Sequence, residues 1–466
     1  MMKYISTRGQ APELSFEEVV LAGLATDGGL YVPKTIPRIE PSTMVEWAGL
    51  PYTELAMRVM QPFMGNAIPE KDLRELVEGA YSEFRHPAIA PLVQIGHDRF
   101  ILELFHGPTL AFKDFALQFL GRTLSYFLAR RKEHVTVVGA TSGDTGSAAI
   151  AGCRGRGNMD IFIFHPEGRV SDVQRRQMTT VTDENVHNVA LKGTFDDCQD
   201  LVKALFADAK FRDETRLVAV NSINWARILA QVVYYFYAAL ALGAPAREVS
   251  FSVPTGNFGD IFAGFIAKKM GLPIGELMIA TNRNNILTRC LQTGEYKMDG
   301  VEASLSPSMD IQISSNFERL LFDLHGQDSA KVAGLMQQLR DDKSFTLGEG
   351  ELARLRGTFG SASADDTLTK ETIRNLYATT GYLADPHTAV GIAASSACRG
   401  NSPVVILSTA HPAKFPDAVK AACGMVPELP IYMRGIMERP ERCTVMEMGD
   451  MGKIQDFIRA RQGQPA

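Results

Sequence analysis

Lys113 stands inside "HGPTLAFKDFALQFLG", residues 106–121, a stretch otherwise built to be buried. A helix from Ala111 to Gly121 turns about 100° per residue. On it Phe112, Phe115, Ala116, Phe119 and Leu120 form one apolar stripe, and Asp114, Gln118 and Arg122 take the opposite arc. Lys113 falls between the directions of Leu120 and Leu117, on the apolar side. A desolvated ammonium is penalised, so such an amine tends toward its neutral, nucleophilic form and suits Schiff-base chemistry. The other reading is a lysine at the border of a core face that snorkels to water.

Two glycine loops offer a place for an anion. "VVGATSGDTGSAAIAG" runs from a strand through Thr141–Ser142–Gly143–Asp144–Thr145–Gly146 into a helix, and "VSFSVPTGNFGDIFAG" repeats the design with Gly256–Asn257–Phe258–Gly259–Asp260. In open parallel sheets ligands gather at the carboxyl ends of strands, where loop amides and a helix start favour negative charge. Glycines that merely allow a tight turn are the alternative for either loop alone. Neither loop has the Gly-Lys-Ser/Thr ending of a nucleotide triphosphate site, and neither spells the GxGxxG of a dinucleotide site. A third strand, in "PVVILSTAHPAKF", ends at Ser408 and Thr409 and brings a hydroxyl toward the same crevice. A desolvated lysine for an aldehyde, amides at a helix start for a phosphate and a side chain for a ring nitrogen together specify pyridoxal phosphate.

These parts need a scaffold, and the composition supplies an ordinary one. The chain has 466 residues, 45% hydrophobic and 22% charged, with a net charge of −5 and no long run of either sign. Bulk charge therefore suggests neither nucleic acid nor an anionic membrane surface, and a small-molecule partner fits better. Six cysteines without a CxxC or regular spacing argue against a disulfide framework and a cysteine metal site, and point to a reducing compartment. No metal is expected. The start of the chain has neither a signal-peptide core nor an Arg-rich presequence, so a cytoplasmic location is expected. Residues 228–246 are uncharged and just long enough to span a membrane, but their tyrosines sit centrally and Gln231, Gly243 and Pro245 interrupt them, which favours a buried helix.

Strand-like and helix-like runs alternate from "RFILELFHGPT" onward, which predicts an α/β fold with parallel sheets. The expected division is a small leading domain over residues 1–95, a smaller α/β domain over 96–225 carrying Lys113 and the TSGDTG loop, and a larger α/β domain over 226–466 carrying the GNFGD loop. Residues 290–380 read as a polar, irregular insertion in the last of these.

"HGPTLAFKD", "GATSGDTGSAAI", "NSINWARI", "PTGNFGDI", "MDIQISSNFERLLF", "DPHTAVG" and "STAHPAKF" follow one another in this order. In this the chain resembles the threonine synthase family, in the longer class found in bacteria and fungi, from "STRG" to about residue 430. The resemblance implies the fold-type II group of pyridoxal phosphate enzymes, the tryptophan synthase β-like kind, with two α/β domains around the cofactor and an extra leading domain. It implies a Schiff base on Lys113, cofactor phosphate held by Gly256, Asn257, Phe258 and Asp260, the last through its backbone, and Thr409 at the pyridine nitrogen. It further implies substrate carboxylate binding by Thr141, Ser142 and Thr145. The implied reaction converts O-phospho-L-homoserine and water to L-threonine and phosphate, in a monomer or homodimer.

The substrate phosphate requires a second anion site, for which Asn224, Arg227, Lys414 and Arg8 are candidates, each with a structural hydrogen bond or ion pair as the competing role. His387 is expected to make a structural hydrogen bond. Two other functions fit parts of the same pattern: a pyridoxal phosphate lyase or dehydratase acting on serine, threonine or phosphothreonine, and a non-catalytic relative that binds a phosphorylated metabolite.

Overall fold

The computed structural model describes residues 2–463. Two parallel sheets organise the chain. The first has six strands in the order Phe359–Ser363, Ile274–Thr281, Val249–Pro254, Val404–Ser408, Arg99–Glu103 and Leu92–Gln94, with only the last antiparallel to its neighbour. The second has five, in the order Thr444–Glu447, Val186–Lys192, Met159–Pro166, Val135–Ala140 and Leu217–Ala219, all parallel. Central strands such as Met159–Pro166 and Val249–Pro254 are buried along their whole length, as helices on both faces require.

The sheets do not follow the sequential divisions at 95 and 225. Leu92–Gln94 and Arg99–Glu103 join the sheet built mainly from residues beyond 248, and Thr444–Glu447 returns to the sheet of residues 135–219. The leading segment pairs Tyr4–Ser6 with Tyr31–Pro33 and starts its first helix, Phe16–Ala22, on a Ser15–Glu18 capping box. Its aromatic side chains pack onto the helix Trp225–Ala241: Tyr4 and Phe63 lie 5.9 and 6.0 Å from the Trp225 ring.

The lysine helix runs Lys113–Arg131, starting later than expected, and it is buried all round rather than on one stripe. Asp114 and Gln118, expected on a polar arc, are buried too, because the helix lies between Asp144–Cys153 and Trp225–Ala241. Glycines make the first of these contacts possible. A Cβ on Gly121 would overlap the carbonyl of Gly152, and one on Gly152 would overlap the carbonyl of Leu117. That backbone-to-backbone approach brings Asp144, at the start of one helix, beside Lys113, at the start of the other. The uncharged stretch after Arg227 is a buried helix as expected, and no helix among the described residues is long and apolar enough to cross a membrane.

Residues 290–380 are more regular than their composition suggests. They include helices Phe317–Leu324, Ser329–Asp341, Glu349–Arg356 and Asp366–Thr380, and they supply the edge strand Phe359–Ser363 of the six-stranded sheet. Residues 304–316, an irregular run just before these helices, extend to the lysine.

Candidate active site

Lys113 is buried, and its Nζ donates to Asp144 Oδ2 at 3.5 Å and to Ser308 Oγ at 3.4 Å. Both are long contacts for an ammonium. Burial pulls its pKa below the ordinary lysine value, Asp144 opposes that, and the cations Lys414 and Arg227 add to it. The sequence-based expectation of a desolvated amine with access to its neutral form is therefore matched in geometry and in direction.

Asp144 is the hub around it. Its Oδ1 accepts from Lys414 Nζ at 2.7 Å and Gln174 Nε2 at 2.8 Å, while Oδ2 accepts from Ser308 Oγ at 3.2 Å. Burial pushes this carboxyl upward, but Lys414, Lys113 and His387 outweigh burial and hold it well below the usual carboxylate range. Ser308 and Gln174 were not singled out from the sequence. Only the TSGDTG loop itself marked Asp144, and nothing local distinguishes Ser308 from its neighbouring serines.

The GNFGD loop starts the helix Gly259–Lys269, with Phe258 left-handed at φ 63° as the residue before it. A Cβ at Gly256 would come within 2.8 Å of the Ser308 carbonyl, so a glycine is needed for this loop to lie against the serine that touches Lys113. Asn316 fixes the loop from the other side, donating its N–H and its side-chain amide to the Asn257 carbonyl, both at 3.0 Å, while Ser314 Oγ donates to the Gly256 carbonyl at 2.7 Å. With those carbonyls tied back, the amides of the first turn, which have no intrahelical acceptor, are free to face a ligand. The Asp260 carboxyl points away from such a ligand: Tyr234 and Tyr235 hydroxyls donate to its Oδ1 at 2.6 and 3.0 Å. Burial raises its pKa to about 7 against the opposing effect of those hydroxyls.

Thr409 is joined to the lysine by backbone, its carbonyl accepting from the N–H of Phe112 at 2.9 Å. The lysine, the GNFGD loop and Thr409 are thus brought together. His387 has both ring nitrogens engaged, Nδ1 with Asp385 Oδ1 at 2.9 Å and Nε2 with the Ser308 N–H at 3.3 Å, which is the structural kind of hydrogen bonding expected of it.

The candidates for substrate contacts separate into two groups. Asn224 is turned inward as the cap of Trp225–Ala241, accepting from Ala226 N and donating to Val20 O, each at 3.0 Å, so both ends of its amide are engaged within the fold. Arg8 is likewise committed, as its Nε and Nη2 bind the two oxygens of Glu318 at 3.0 and 2.9 Å. Lys414 is fully buried against Asp144 and the Thr109 carbonyl. Thr141 Oγ1 accepts from the N–H groups of Gly143 and Gly146 at 2.9 and 2.8 Å, which makes it the organiser of its loop. Ser142 and Thr145 remain half-buried at the loop's surface. Arg227 is the exception among the cations. Buried, it donates to the Val220 carbonyl at 3.1 Å and pairs with no carboxylate among the described residues, and burial lowers its pKa to about 10.

Comparison with known proteins bears on this arrangement. Residues 3–81 match the family model described as threonine synthase N terminus, residues 89–410 that of pyridoxal-phosphate dependent enzymes and residues 388–458 that of the threonine synthase C-terminal part. The threonine synthase of Pseudomonas aeruginosa is 56% identical, the match covering 100% of both chains. The chain belongs to the threonine synthase family. Within that family the threonine synthase of Saccharomyces cerevisiae is 47% identical over 90% of this chain and 88% of its own. A crystal structure of PLP-bound threonine synthase from Brucella melitensis superposes with a TM-score of 0.97 at 54% identity, covering 99% of this chain and 100% of that one. A yeast threonine synthase structure gives 0.93 at 44%, covering 98% of each chain. The fold is accordingly that of the fold-type II pyridoxal phosphate enzymes.

The residues present suit the cofactor of the threonine synthase family. A buried amine matches its aldehyde, and a helix start whose acidic side chain is turned away and largely desolvated matches its phosphate.

Proposed function

We propose that the chain converts O-phospho-L-homoserine and water to L-threonine and phosphate, as a pyridoxal-phosphate-dependent carbon–oxygen lyase in which Lys113 holds the cofactor aldehyde and then moves protons. One observation carries this reading: the buried Lys113 amine, held by long contacts, reaches Ser308, against which the GNFGD loop packs at Gly256, and the carbonyl of Thr409 is bonded to the residue before the lysine. When bound, the cofactor withdraws electrons from the substrate's α carbon, which makes the α and β protons acidic and allows the γ phosphate to leave.

Lys113, displaced by the substrate amine, is the base for the α proton, since a desolvated amine is available in its neutral form. Gly256, Asn257, Phe258 and Asp260 offer backbone N–H groups to the cofactor phosphate, and the Asp260 carboxyl, turned inward to Tyr234 and Tyr235 and raised in pKa by burial, repels it little. Thr409 would meet the pyridine nitrogen with a hydroxyl rather than a carboxylate, which would leave that nitrogen without a partner that favours its protonation. Ser142, Thr145 and the amides ordered by Thr141 receive the substrate carboxylate. Arg227, a desolvated guanidinium with no carboxylate partner among the described residues, receives the substrate phosphate. Asn224 serves this site indirectly, by capping the helix that carries Arg227.

Asp144 and Ser308, the side chains that reach Lys113, are compatible with a monomer or a homodimer. Six unpaired cysteines suit a cytoplasmic setting. The deciding assay measures threonine and phosphate together. Equimolar release from O-phospho-L-homoserine is expected; ammonia release from serine, threonine or phosphothreonine, with no phosphate from phosphohomoserine, would favour the dehydratase reading instead.

A further inference from the structure

A second buried lysine so near a reacting one is an unusual arrangement, because two ammonium groups in a dry site repel. Lys414 Nζ is fully buried, 2.7 Å from Asp144 Oδ1 and 2.8 Å from the Thr109 carbonyl. The charged groups that face Lys113 come from several elements. Asp144 starts one helix, Arg227 lies in the first turn of another, and Lys414 sits in the turn Pro412–Lys414. Asp114, next to Lys113 in the chain, is tied to the N–H and hydroxyl of Thr109 at 2.8 and 2.6 Å. His387 has both ring nitrogens occupied, and Asp260 is tied to Tyr234 and Tyr235.

Among the described residues Asp144 is therefore the one carboxylate that contacts the lysine, and its closer bonds go elsewhere. Oδ1 lies 2.7 Å from Lys414, whereas Oδ2 lies 3.5 Å from Lys113. With Asp144 and Lys113 alone, the two would form a buried ion pair and the amine would keep its proton. With Lys414 added, the carboxylate already has its cation, and Arg227 adds a further positive charge that acts on Lys113, so a proton on that amine is disfavoured.

We propose that Lys414 is a positioning residue acting through Asp144: by neutralising that carboxylate it keeps Lys113 in the uncharged form in which it captures an aldehyde and accepts a proton. The burial of Lys113 lowers its pKa first, and Lys414 and Arg227 lower it further against Asp144. This inference rests on Lys113 being the reacting lysine.

The experiment follows the pH midpoint of pyridoxal phosphate capture by cofactor-free protein, read as growth of the visible absorbance band, together with thermal stability. Lys414→Met should move the midpoint upward, by on the order of one pH unit, because Asp144 is then left to Lys113 alone. Asp144→Asn should move it downward, and Lys414→Arg should leave it near the wild-type position. If Lys414→Met does not fold, Lys414→Gln, which keeps a hydrogen-bond donor for Asp144 but not the charge, takes its place, and its midpoint should likewise lie above that of the wild type. Loss of thermal stability with an unmoved midpoint in these variants would make Lys414 purely structural and overturn the inference. A wild-type protein that forms no band, or a Lys113→Ala variant that still forms one, would instead overturn the role of Lys113.

Discussion

The backbone N–H of Ser308 donates to Nε2 of His387 at 3.3 Å, while the Ser308 hydroxyl reaches Lys113 at 3.4 Å and Asp144 at 3.2 Å. One residue thus links the helix Pro386–Ser395 to the lysine, and the histidine sets where it sits. The other ring nitrogen of His387, Nδ1, lies 2.9 Å from Asp385 Oδ1, which holds the ring in place. Replacing His387 with Phe leaves a half-buried N–H without its acceptor, at about 1–3 kcal/mol. It also frees the serine that touches Lys113. His387→Phe is expected to lower the melting temperature and to reduce kcat more than it raises KM for phosphohomoserine. Equal kcat in the variant and the parent would show that Ser308 holds its place without the histidine.

Removal of the amine itself gives the sharpest outcome. Lys113→Ala should abolish the visible absorbance of the cofactor-supplemented protein and reduce phosphate release by at least about 10³-fold, since one group supplies both covalent attachment and proton transfer. The fold should survive, because the change removes a desolvated amine held only by contacts of 3.4 and 3.5 Å. Circular dichroism and thermal unfolding check the second part, absorbance and a phosphate assay the first.

What could be read from the chain and what could not divide along the range of the interactions. The TSGDTG and GNFGD loops and the strand ending at Thr409 are contiguous motifs, so their residue types already state their geometry. The helix of Lys113 was legible as a helix, but not its all-round burial. Asp114 and Gln118 look like a solvent face until the glycine contact between Gly121 and Gly152 and the packing of Trp225–Ala241 enclose them. Partnerships between distant charges were not legible at all. Arg8 in "STRG" is as able to bind phosphate as Arg227, and only the fold brings Glu318 against one and leaves the other without a carboxylate. The polar composition around residue 308 gave no sign that a serine there would meet the lysine, because nothing in its local pattern differs from an exposed loop.

Arg227 and Asn224 should respond in opposite ways. A buried cation without a carboxylate destabilises the protein unless a ligand supplies the missing charge. Arg227→Gln is therefore expected to keep or raise the thermal stability of the substrate-free protein while raising KM for phosphohomoserine by about 10- to 100-fold, the range for loss of one or two charge-assisted hydrogen bonds. Asn224→Ala removes a helix cap and should cost about 1 kcal/mol of stability with little direct effect on KM. Thermal unfolding and steady-state kinetics on the pair test the division. A rise in KM for Asn224→Ala alone, with Arg227→Gln unaffected, would reassign the substrate phosphate.

Asp260 should leave a signature in stability against pH. Its folded-state pKa, raised to about 7 from an ordinary 3.8, means the folded chain binds this proton more tightly than the unfolded chain does. The contribution is fully present below the unfolded pKa and is lost as pH rises through the folded one, because ionising a carboxyl buried beside Tyr234 and Tyr235 costs more than ionising it in water. Between pH 3.8 and about 7, then, this group makes the cofactor-free protein less stable with each step upward in pH. Asp260→Asn keeps an oxygen for both tyrosine hydroxyls and cannot ionise. It should lose that downward slope, be more stable than the parent above pH 7, and still bind pyridoxal phosphate, since the side chain of residue 260 is turned toward Tyr234 and Tyr235. Parallel denaturant titrations across this range would measure the difference. Identical pH profiles in the two proteins would mean that the carboxyl is already ionised in the fold at low pH.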